Sequence, residues 1–313
     1  MTTASATDSG KGRGLSRATK IYIGLFIYLA VAVLLYVIVG SDGKNEEFAP
    51  QDEFKLDPWI ELKIAGIDLS FNKAVLYLLL GCILTAGTMI WIARRMEQRP
   101  NRVQTAVEAA YDLTYTQISK GNMPAETHAK YFPLVATLFF FIWFSNMLGY
   151  IPLPVNSEET IDIFGIEFPA FALYAATANL SIPLVLTLVV FLGYQIEGVR
   201  RHGLVGYLKG WLPAGVKGPA AIPIFIIEVI SQFVRIISLS VRLFANILAG
   251  HLLILFMGGG LAVLLGLAAL GWITLPIAIA FFIFEVGLVA TLQAFIFATL
   301  TSIYFGEASA GGH

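Results

Sequence analysis

The sequence is poor in charge and in cysteine, and both shortages narrow the class of protein. Only 13% of the 313 residues are charged, about half the fraction of roughly 25% that is usual in soluble domains. The single cysteine, Cys82, lies within an apolar run. A disulfide framework and a cysteine metal site are therefore both excluded. The sequence also contains no internal repeat and no low-complexity tract.

Sequence patterns for catalysis are missing as well. Gly258–Gly260 is a glycine run between apolar segments, and it does not lead into the Lys-Ser/Thr pair of a phosphate-binding loop. The sequence shows neither a nucleophile triad nor a cluster of metal-ligating residues. We therefore expect a chain that is not an enzyme, with no catalytic residues, no bound metal, no cofactor and no nucleic-acid partner.

Apolar residues, in contrast, are abundant and occur in long runs. They make up 57% of the chain and give it a mean hydropathy of +0.77. A helix needs about 20 apolar residues to cross a bilayer. About six segments meet this requirement: 21–39, 74–93, 131–150, 169–194, 219–257 and 274–304. The pattern predicts an all-α, polytopic integral membrane protein.

The distribution of lysine and arginine predicts the orientation of the chain. Basic residues concentrate in 1–20, 94–130 and 195–218, whereas the connections 40–73 and 151–168 are acidic. Cytoplasmic loops carry the excess of lysine and arginine, so we place the basic stretches and both termini in the cytoplasm. The segment 103–127 is predicted to form an amphipathic helix that ends in a Gly-Asn-Met-Pro turn.

Two predicted regions follow from this order of segments. Residues 1–50 comprise a cytoplasmic tail, an extra span over 21–39 and the start of an acidic loop, and residues 51–313 form the membrane domain. The basic flank of the first span resembles that of a signal peptide, but no small-residue cleavage site follows, so we expect a retained span. The stretch 261–275 is either a separate short helix or part of a hairpin.

Charged residues within the predicted spans are few, and they point to a site. There are four: Glu228, Arg235, Arg242 and Glu285. A charge at membrane depth is costly and marks a functional site by default. The first three recur every seven residues, which returns each to within about 20° of one helix face. Three further polar residues share this stripe: Ser231, Ser238 and Asn246.

The members of the stripe differ in what they predict. Glu228 and Arg235 lie nearer the cytoplasmic end, where they could pair with each other and reach the headgroups. Arg242 is followed by fifteen residues without a charge, so a functional role fits it better than a structural one. A voltage sensor fits poorly, because such helices repeat arginine more densely. His251 lies about 180° from Arg242 on the same helix.

The last two apolar segments are longer than a bilayer requires. As helices they would measure about 58 Å and about 46 Å, against ~30 Å of hydrocarbon. We expect broken or tilted helices that offer a slanted surface to another membrane protein. The final helix carries Glu285 and Gln293, which lie about 80° apart on a regular helix. His251 and Glu285 are titratable and form either a proton relay or a buried pair. Asn179 and Ser181 are weaker candidates, because these residue types commonly join helices.

At this point several stretches resemble one known family. SLSVRLFANILAGH and the later TLQAFIFATLTSIY are similar to subunit a of the membrane sector of F-type ATP synthases. Four more stretches occur in family order: RVQTAVEAAYDL, FIWFSNMLGYIP, TANLSIPLVLTL and FIIEVISQFVRIISLSVRLFAN. The resemblance covers roughly residues 55–305.

The resemblance implies a function and assigns residues to it. It implies a subunit with two aqueous half-channels that couples proton translocation to rotation of a c-subunit ring and to ATP synthesis. Arg242 would face the ring carboxylates, favour their ionised form and block a direct proton leak. Gln293 would face this arginine, with Asn246 one turn beyond it, and His251 and Glu285 would line a half-channel. Glu285 stands eight residues before Gln293, where the family leads us to expect seven.

The remaining expectations also come from the resemblance. Asn179 occupies a place where many relatives carry aspartate, and Glu228 and Arg235 match an acidic and a basic position. The implied partners are the c ring, the b subunits of the peripheral stalk and the rest of the complex. The implied location is the bacterial plasma (inner) membrane. Two alternatives stay open: a self-contained secondary transporter or antiporter subunit, which often shows internal repeats, and a scaffold whose charged stripe only pairs with a partner helix.

Overall fold

The computed structural model describes residues 19, 22–24, 26–27, 30, 34, 54–64, 67–68, 70–95, 101–154, 160–163, 166–169, 171–212, 221–260 and 268–310. The predicted span over 21–39 therefore falls mostly outside the described residues. The chain divides into two compact units. One comprises Met1–Phe48 with Leu255–Ile279, and the other comprises Ala49–Ile254 with Ala280–His313.

Helices dominate the described residues, and the prediction of an all-α, polytopic fold is confirmed. The α-helices are α1 (Lys73–Arg95), α2 (Arg102–Asp112), α3 (Ala125–Leu148), α4 (Ser181–Gly210), α5 (Ala221–Leu255), α6 (Ala268–Phe284) and α7 (Ala290–Ala310). Three π turns follow α2, α5 and α6, at Leu113–Lys120, Phe256–Gly260 and Glu285–Val289, and Ala176–Ala178 is a 3₁₀ turn. In the described part of the chain, five segments have the length and apolar character of membrane spans: Lys73–Trp91, Ala125–Leu148, Ser181–Gly210, Ala221–Gly260 and Thr274–Ala310.

Short antiparallel strand pairs lie in the two acidic connections. They are β1 (Lys63–Ile64) with β2 (Ile67–Asp68), β3 (Leu153–Pro154) with β6 (Phe171–Ala172), and β4 (Thr160–Ile163) with β5 (Ile166–Pro169). The predicted span over 169–194 was therefore wrong at its start. The helix begins at Ser181, where the Asn179 Oδ1 accepts a hydrogen bond from the Ser181 backbone N–H at 3.0 Å. Pro183 then fits the first turn, where a missing N–H removes no helical bond.

The amphipathic helix predicted before α3 is confirmed over its first part. The Asn101 side chain caps α2 by accepting a hydrogen bond from the Gln104 backbone N–H at 2.8 Å. The helix continues through the π turn and ends before Ala125, where α3 begins. Gly306 of α7 lies directly against the Asn122 carbonyl, so this turn packs against the C-terminal helix.

The core of the larger unit is where α7 packs against α3 and α4, and α1 also packs against α3. Its most buried large side chains include Ile142 on α3 and Phe297 and Phe305 on α7. Small residues allow close approach between the helices: Gly193 of α4 faces the Phe305 ring, and Gly81 of α1 faces Ser145. This packing fixes the positions of α3 and α7, which carry part of the site.

A buried carboxylate ties α3 to α4. Glu197 is 3% exposed and accepts hydrogen bonds from Lys130 Nζ at 2.5 Å, the Tyr131 hydroxyl at 2.6 Å and Arg201 Nε at 2.8 Å. A buried charge needs such partners to be tolerated. The cluster therefore links the two helices by charge as well as by apolar contact.

Helix α4 bends sharply near its end. Gly203 has a φ of +70° and interrupts the helical backbone, a conformation that residues with a Cβ adopt only with strain. The chain turns back at this point, so that the Tyr207 ring lies against Gly198, where a Cβ would collide with it. The segment after Gly203 thereby comes to line a cavity.

Candidate functional site

Helix α5 has one buried face and one exposed face. Its 35 residues span about 52 Å at 1.5 Å per residue. The buried face carries Gln232, Leu239, Ser240, Leu243, Ile247, Gly250, His251 and Ile254. The exposed face carries large apolar side chains: Ile222, Ile226, Ile227, Ile230, Phe233, Val234, Ile237 and Val241. The predicted opposition of Arg242 and His251 is confirmed, because Arg242 is exposed and His251 is fully buried.

Arg242 lies on the exposed, largely apolar face together with Asn246. Among the described residues its guanidinium makes one hydrogen bond, from Nη2 to Ser238 Oγ at 3.4 Å. A guanidinium has five N–H donors and keeps its charge, so most of its donors make no hydrogen bond within the described chain. No hydrogen bond joins Arg242 to Gln293 within the described chain. Gln293 lies 4% exposed on α7 instead.

A second group of polar residues surrounds His251, and we call it the His251 cluster: Asn146, Tyr150, Thr177, His251 and Glu285. His251 Nδ1 lies 3.0 Å from the Ile247 carbonyl oxygen and Nε2 lies 3.0 Å from that of Gly149. The Tyr150 hydroxyl donates a hydrogen bond to Glu285 Oε2 at 3.1 Å, and the Tyr150 and His251 rings are 4.7 Å apart. The two titratable residues predicted from sequence therefore meet through a tyrosine.

The amide of Asn146 extends this cluster to two more elements. Its Nδ2 donates to the Ala290 carbonyl at 3.3 Å, and its Oδ1 accepts from the Thr177 hydroxyl at 2.7 Å. Sequence reasoning did not single out Asn146 or Tyr150, although both lie in the stretch FIWFSNMLGYIP. Their signal was polarity at the end of an apolar span, which is also the usual signature of an interfacial residue.

The π turn at Glu285–Val289 decides where Glu285 points. On a regular helix Glu285 and Gln293 would be about 80° apart, as the sequence analysis assumed. A π turn holds one more residue than an α turn, so the eight-residue spacing becomes equivalent to seven and the angle falls to about 20°. Both side chains are buried as a result, Glu285 to 7% exposure and Gln293 to 4%. The angle of about 80° expected for a regular helix is therefore not kept.

A third group of polar residues lies nearer the start of α5, and we call it the Arg235 cluster: Tyr194, Glu228, Gln232, Arg235 and Glu307. Arg235 Nη1 donates to Glu307 Oε2 at 2.7 Å, and Glu228 Oε1 accepts from Gln232 Nε2 at 3.0 Å. The Tyr194 hydroxyl donates to Gln232 Oε1 at 2.9 Å. The predicted pair of Glu228 and Arg235 is thus replaced by a bond to α7. Seven residues separate the two along the axis by about 10 Å, beyond the three- or four-residue reach of side-chain pairs.

An open cavity of about 790 Å³ adjoins the Arg235 cluster. Residues 202–212, which include the chain after the Gly203 bend, contribute much of its wall, including His202, Tyr207 and Lys209. Arg235, Glu228 and Glu307 also line the cavity, and the Arg235 guanidinium is 5.0 Å from the centre of the Tyr304 ring. Sequence reasoning missed Glu307, because the last helix was predicted to end at Tyr304 and instead runs to Ala310.

Arg242 lies between these two polar clusters along α5. It is seven residues from Arg235, about 10 Å, and nine from His251, about 13 Å. Asn179 and Ser181, in contrast, make a local turn at the start of α4. Among the described residues, no hydrogen bond joins either of them to a member of the His251 cluster. In the ranges that the structure describes, no three His, Cys, Asp or Glu side chains are grouped so as to hold a metal ion.

The fold and these clusters together define a multi-pass membrane protein with titratable groups buried among its helices. A family model described as ATP synthase A chain matches residues 75–306. A protein named ATP synthase subunit a from Rubrobacter xylanophilus is 38% identical over 247 residues, or 78% of this chain and 86% of the relative. Proteins of the same name from Hyphomonas neptunium and Rhizobium rhizogenes are 32% and 34% identical, over 83% and 84% of this chain and 95% and 98% of their own lengths. The chain belongs to the ATP synthase subunit a family.

Proposed function

We propose that this chain is the non-catalytic, proton-translocating subunit of an F-type ATP synthase. As a family member it is part of the membrane sector of that complex. In the proposed arrangement Arg242 faces the carboxylates of a rotating c ring, and two aqueous half-channels reach it from opposite sides of a bacterial plasma membrane. Residues 1–50 form a region separate from the membrane domain over 51–313, and both termini lie in the cytoplasm.

The observation that carries the proposal is the position of Arg242 between two polar clusters. By the distribution of lysine and arginine, the Arg235 cluster and its cavity lie toward the cytoplasm, and the His251 cluster lies toward the other side. A proton that moves along either cluster stops at the arginine, which does not give up its own proton. It then continues only on a carrier that passes Arg242.

Coulomb's law gives the size of the effect on such a carrier. A carboxylate about 4 Å from a guanidinium gains about 4 kcal/mol at an effective dielectric constant of 20. That stabilisation corresponds to about three units in the pKa of the passing carboxyl. Arg242 therefore favours the ionised form of the passing carboxylate. The carboxyl releases its proton into one half-channel only.

The exposed apolar face of α5 supports the proposed partner. Lipid would cover isoleucine and phenylalanine equally well, but it would supply no partner for the charge of Arg242 at membrane depth. A ring of helices that carry one carboxylate each would cover the apolar side chains and would also supply a partner for the charge of Arg242. The b subunits of a peripheral stalk are proposed as further partners, because the chain must be held still while the ring turns.

The decisive experiment replaces Arg242 in the assembled complex. In inverted membrane vesicles, Arg242→Ala is expected to abolish ATP-driven acidification and proton-driven ATP synthesis, while the amount of complex stays near normal. Gln293 and His251 substitutions should reduce both activities less severely. Arg200→Ala, which removes an exposed arginine just before the Gly203 bend of α4, serves as the matched control and should behave like the wild type.

Two outcomes would contradict the proposed function. Proton-driven ATP synthesis that survives in Arg242→Ala would remove the arginine from the mechanism. Proton transport by the purified chain alone, without a co-purifying ring of small two-helix subunits, would identify a self-contained transporter instead.

A further inference from the structure

Tyr150 occupies the centre of the His251 cluster, at the end of α3. It is 4% exposed, its hydroxyl donates to Glu285 Oε2 at 3.1 Å, and its ring lies 4.7 Å from His251. Phe282 packs against the same ring edge-on at 5.8 Å. The side chain is therefore fixed by packing on two sides while its hydroxyl is directed at one carboxyl group.

Glu285 depends on this tyrosine for its hydrogen bonding. Among the described residues, Tyr150 is the only side chain that donates a hydrogen bond to it. The carboxyl also lies against Gly250, where a Cβ would collide with it. His251 is not an alternative donor, because both of its ring nitrogens face backbone carbonyls. The orientation of the carboxyl is thus set by Tyr150 and by the glycine.

The hydroxyl remains a donor over the working pH range. Burial, followed by the neighbouring Glu285 carboxyl, raises the pKa of Tyr150 above its ordinary value. A neutral phenol donates one hydrogen bond, and a donor directed at a carboxylate favours the ionised form. Tyr150 therefore stabilises Glu285 after proton loss more than before it.

We propose that Tyr150 is a positioning residue of the half-channel on the His251 side, and that it acts by holding the Glu285 carboxylate. The inference rests on the proposed function. In each cycle the carboxyl of Glu285 gives its proton to an ionised ring carboxylate, directly or through water, and takes one from the aqueous side. The Tyr150 hydroxyl keeps its own proton throughout and orients the carboxylate that forms.

Other titratable groups lie near Tyr150, on α1 and in the segment before α4. Tyr77 of α1 donates to the Ile151 carbonyl at 3.5 Å. The centre of the Phe54 ring is 6.4 Å from the centre of the Tyr174 ring and also 6.4 Å from that of the His251 ring. Lys73, which is 2% exposed, has its Nζ 5.4 Å from the Tyr174 ring. Among the described residues, Glu285 is the group that bonds to the Tyr150 hydroxyl.

The test is Tyr150→Phe in the assembled ATP synthase, which keeps the ring and removes the donor. Passive proton flux through vesicles stripped of the catalytic sector is measured against the pH on the His251 side. A hydrogen bond to a charged group contributes about one pH unit or more. We expect flux about tenfold lower and a half-maximal pH about one unit higher. Tyr111→Phe, which alters an exposed tyrosine on α2, should change neither the flux nor the half-maximal pH.

A double-variant experiment separates positioning from packing. In a Glu285→Gln background the carboxylate is gone, so adding Tyr150→Phe should shift the half-maximal pH no further. An unchanged flux and midpoint in a fully assembled Tyr150→Phe complex would overturn the inference. A lower flux with an unchanged midpoint would overturn it too, because that result describes a structural lesion. Either result leaves the proposed function intact as long as Arg242→Ala abolishes coupling.

Discussion

The π turn at Glu285–Val289 makes a prediction that a regular helix would not. If its extra residue only keeps Glu285 and Gln293 on one face, then deleting one residue from the turn should be tolerated. Gly287 is the residue to delete, because it is exposed and a Cβ there would meet no atom within 4 Å. The deletion converts the turn into α-helix, and Glu285 and Gln293 stay within about 20° of each other.

An inserted alanine after Gly287 is the matched perturbation in the other direction. It rotates Glu285 by about 100° relative to Gln293, which moves its Cα by about 3.5 Å around a cylinder of 2.3 Å radius and by 1.5 Å along the axis. The 3.1 Å bond from Tyr150 to Glu285 does not survive such a shift. Loss of a hydrogen bond to a charged group costs about 1.5–3 kcal/mol, or roughly 10- to 100-fold in rate.

The assay is ATP-driven acidification of inverted vesicles at matched amounts of complex. The deletion should retain most of the activity, whereas the insertion should lower it toward that of Arg242→Ala. The reasoning fails if the deletion inactivates the assembled enzyme, or if deletion and insertion are equally damaging. In either case the register of Glu285 would not be set by the turn.

Two further variants test single contacts of the larger unit. Gly250→Ala should displace the carboxyl of Glu285 and reduce proton flux severalfold without loss of assembly, whereas Gly87→Ala, at an open position of α1, should not; equal flux in the two variants would contradict this packing. Glu197→Ala leaves a lysine and an arginine without their buried acceptor and should lower the free energy of unfolding by about 2 kcal/mol, a figure reduced from the ~3–5 kcal/mol of fully buried pairs because both cations are partly exposed. Thermal melting of the purified complex measures the change, and Glu126→Ala, whose side chain is 87% exposed, should melt like the wild type; a shift as large as that of Glu197→Ala would place the stabilisation elsewhere.

The parts of the fold that sequence could predict are those governed by a regular period. A spacing of 100° per residue placed Arg242 and His251 on opposite faces of α5, and the structure confirms this. The same rule failed at Glu285, because a π turn changes the count of residues without changing the hydrophobic pattern. Hydrophobic periodicity cannot reveal one extra residue in a helix that is apolar on every face before and after it.

Contacts between residues that are distant in sequence could not be predicted either. Arg235 bonds to Glu307, 72 residues away, and nothing in the spacing of α5 favours that partner over Glu228. Tyr150 was read as the end of a span, where tyrosine is common for reasons of interfacial preference. Its contact with Glu285 depends on how α3 meets α7, which is a property of packing. Site residues on one helix are therefore easier to predict than the residues that position them.

The bend at Gly203 has a consequence for the 790 Å³ cavity beside Arg235. Residues after the bend line this cavity together with residues of α5 and α7, so its shape depends on the backbone at Gly203 as well as on how the helices pack. In the described part of the chain, the polar groups of the His251 cluster lie on α3 and the turn after it, on α5, on the 3₁₀ turn and on the π turn. The polar groups on the two sides of Arg242 along α5 thus differ in kind. One borders an open cavity whose wall changes direction at a single glycine, and the other is a set of buried side chains joined by hydrogen bonds.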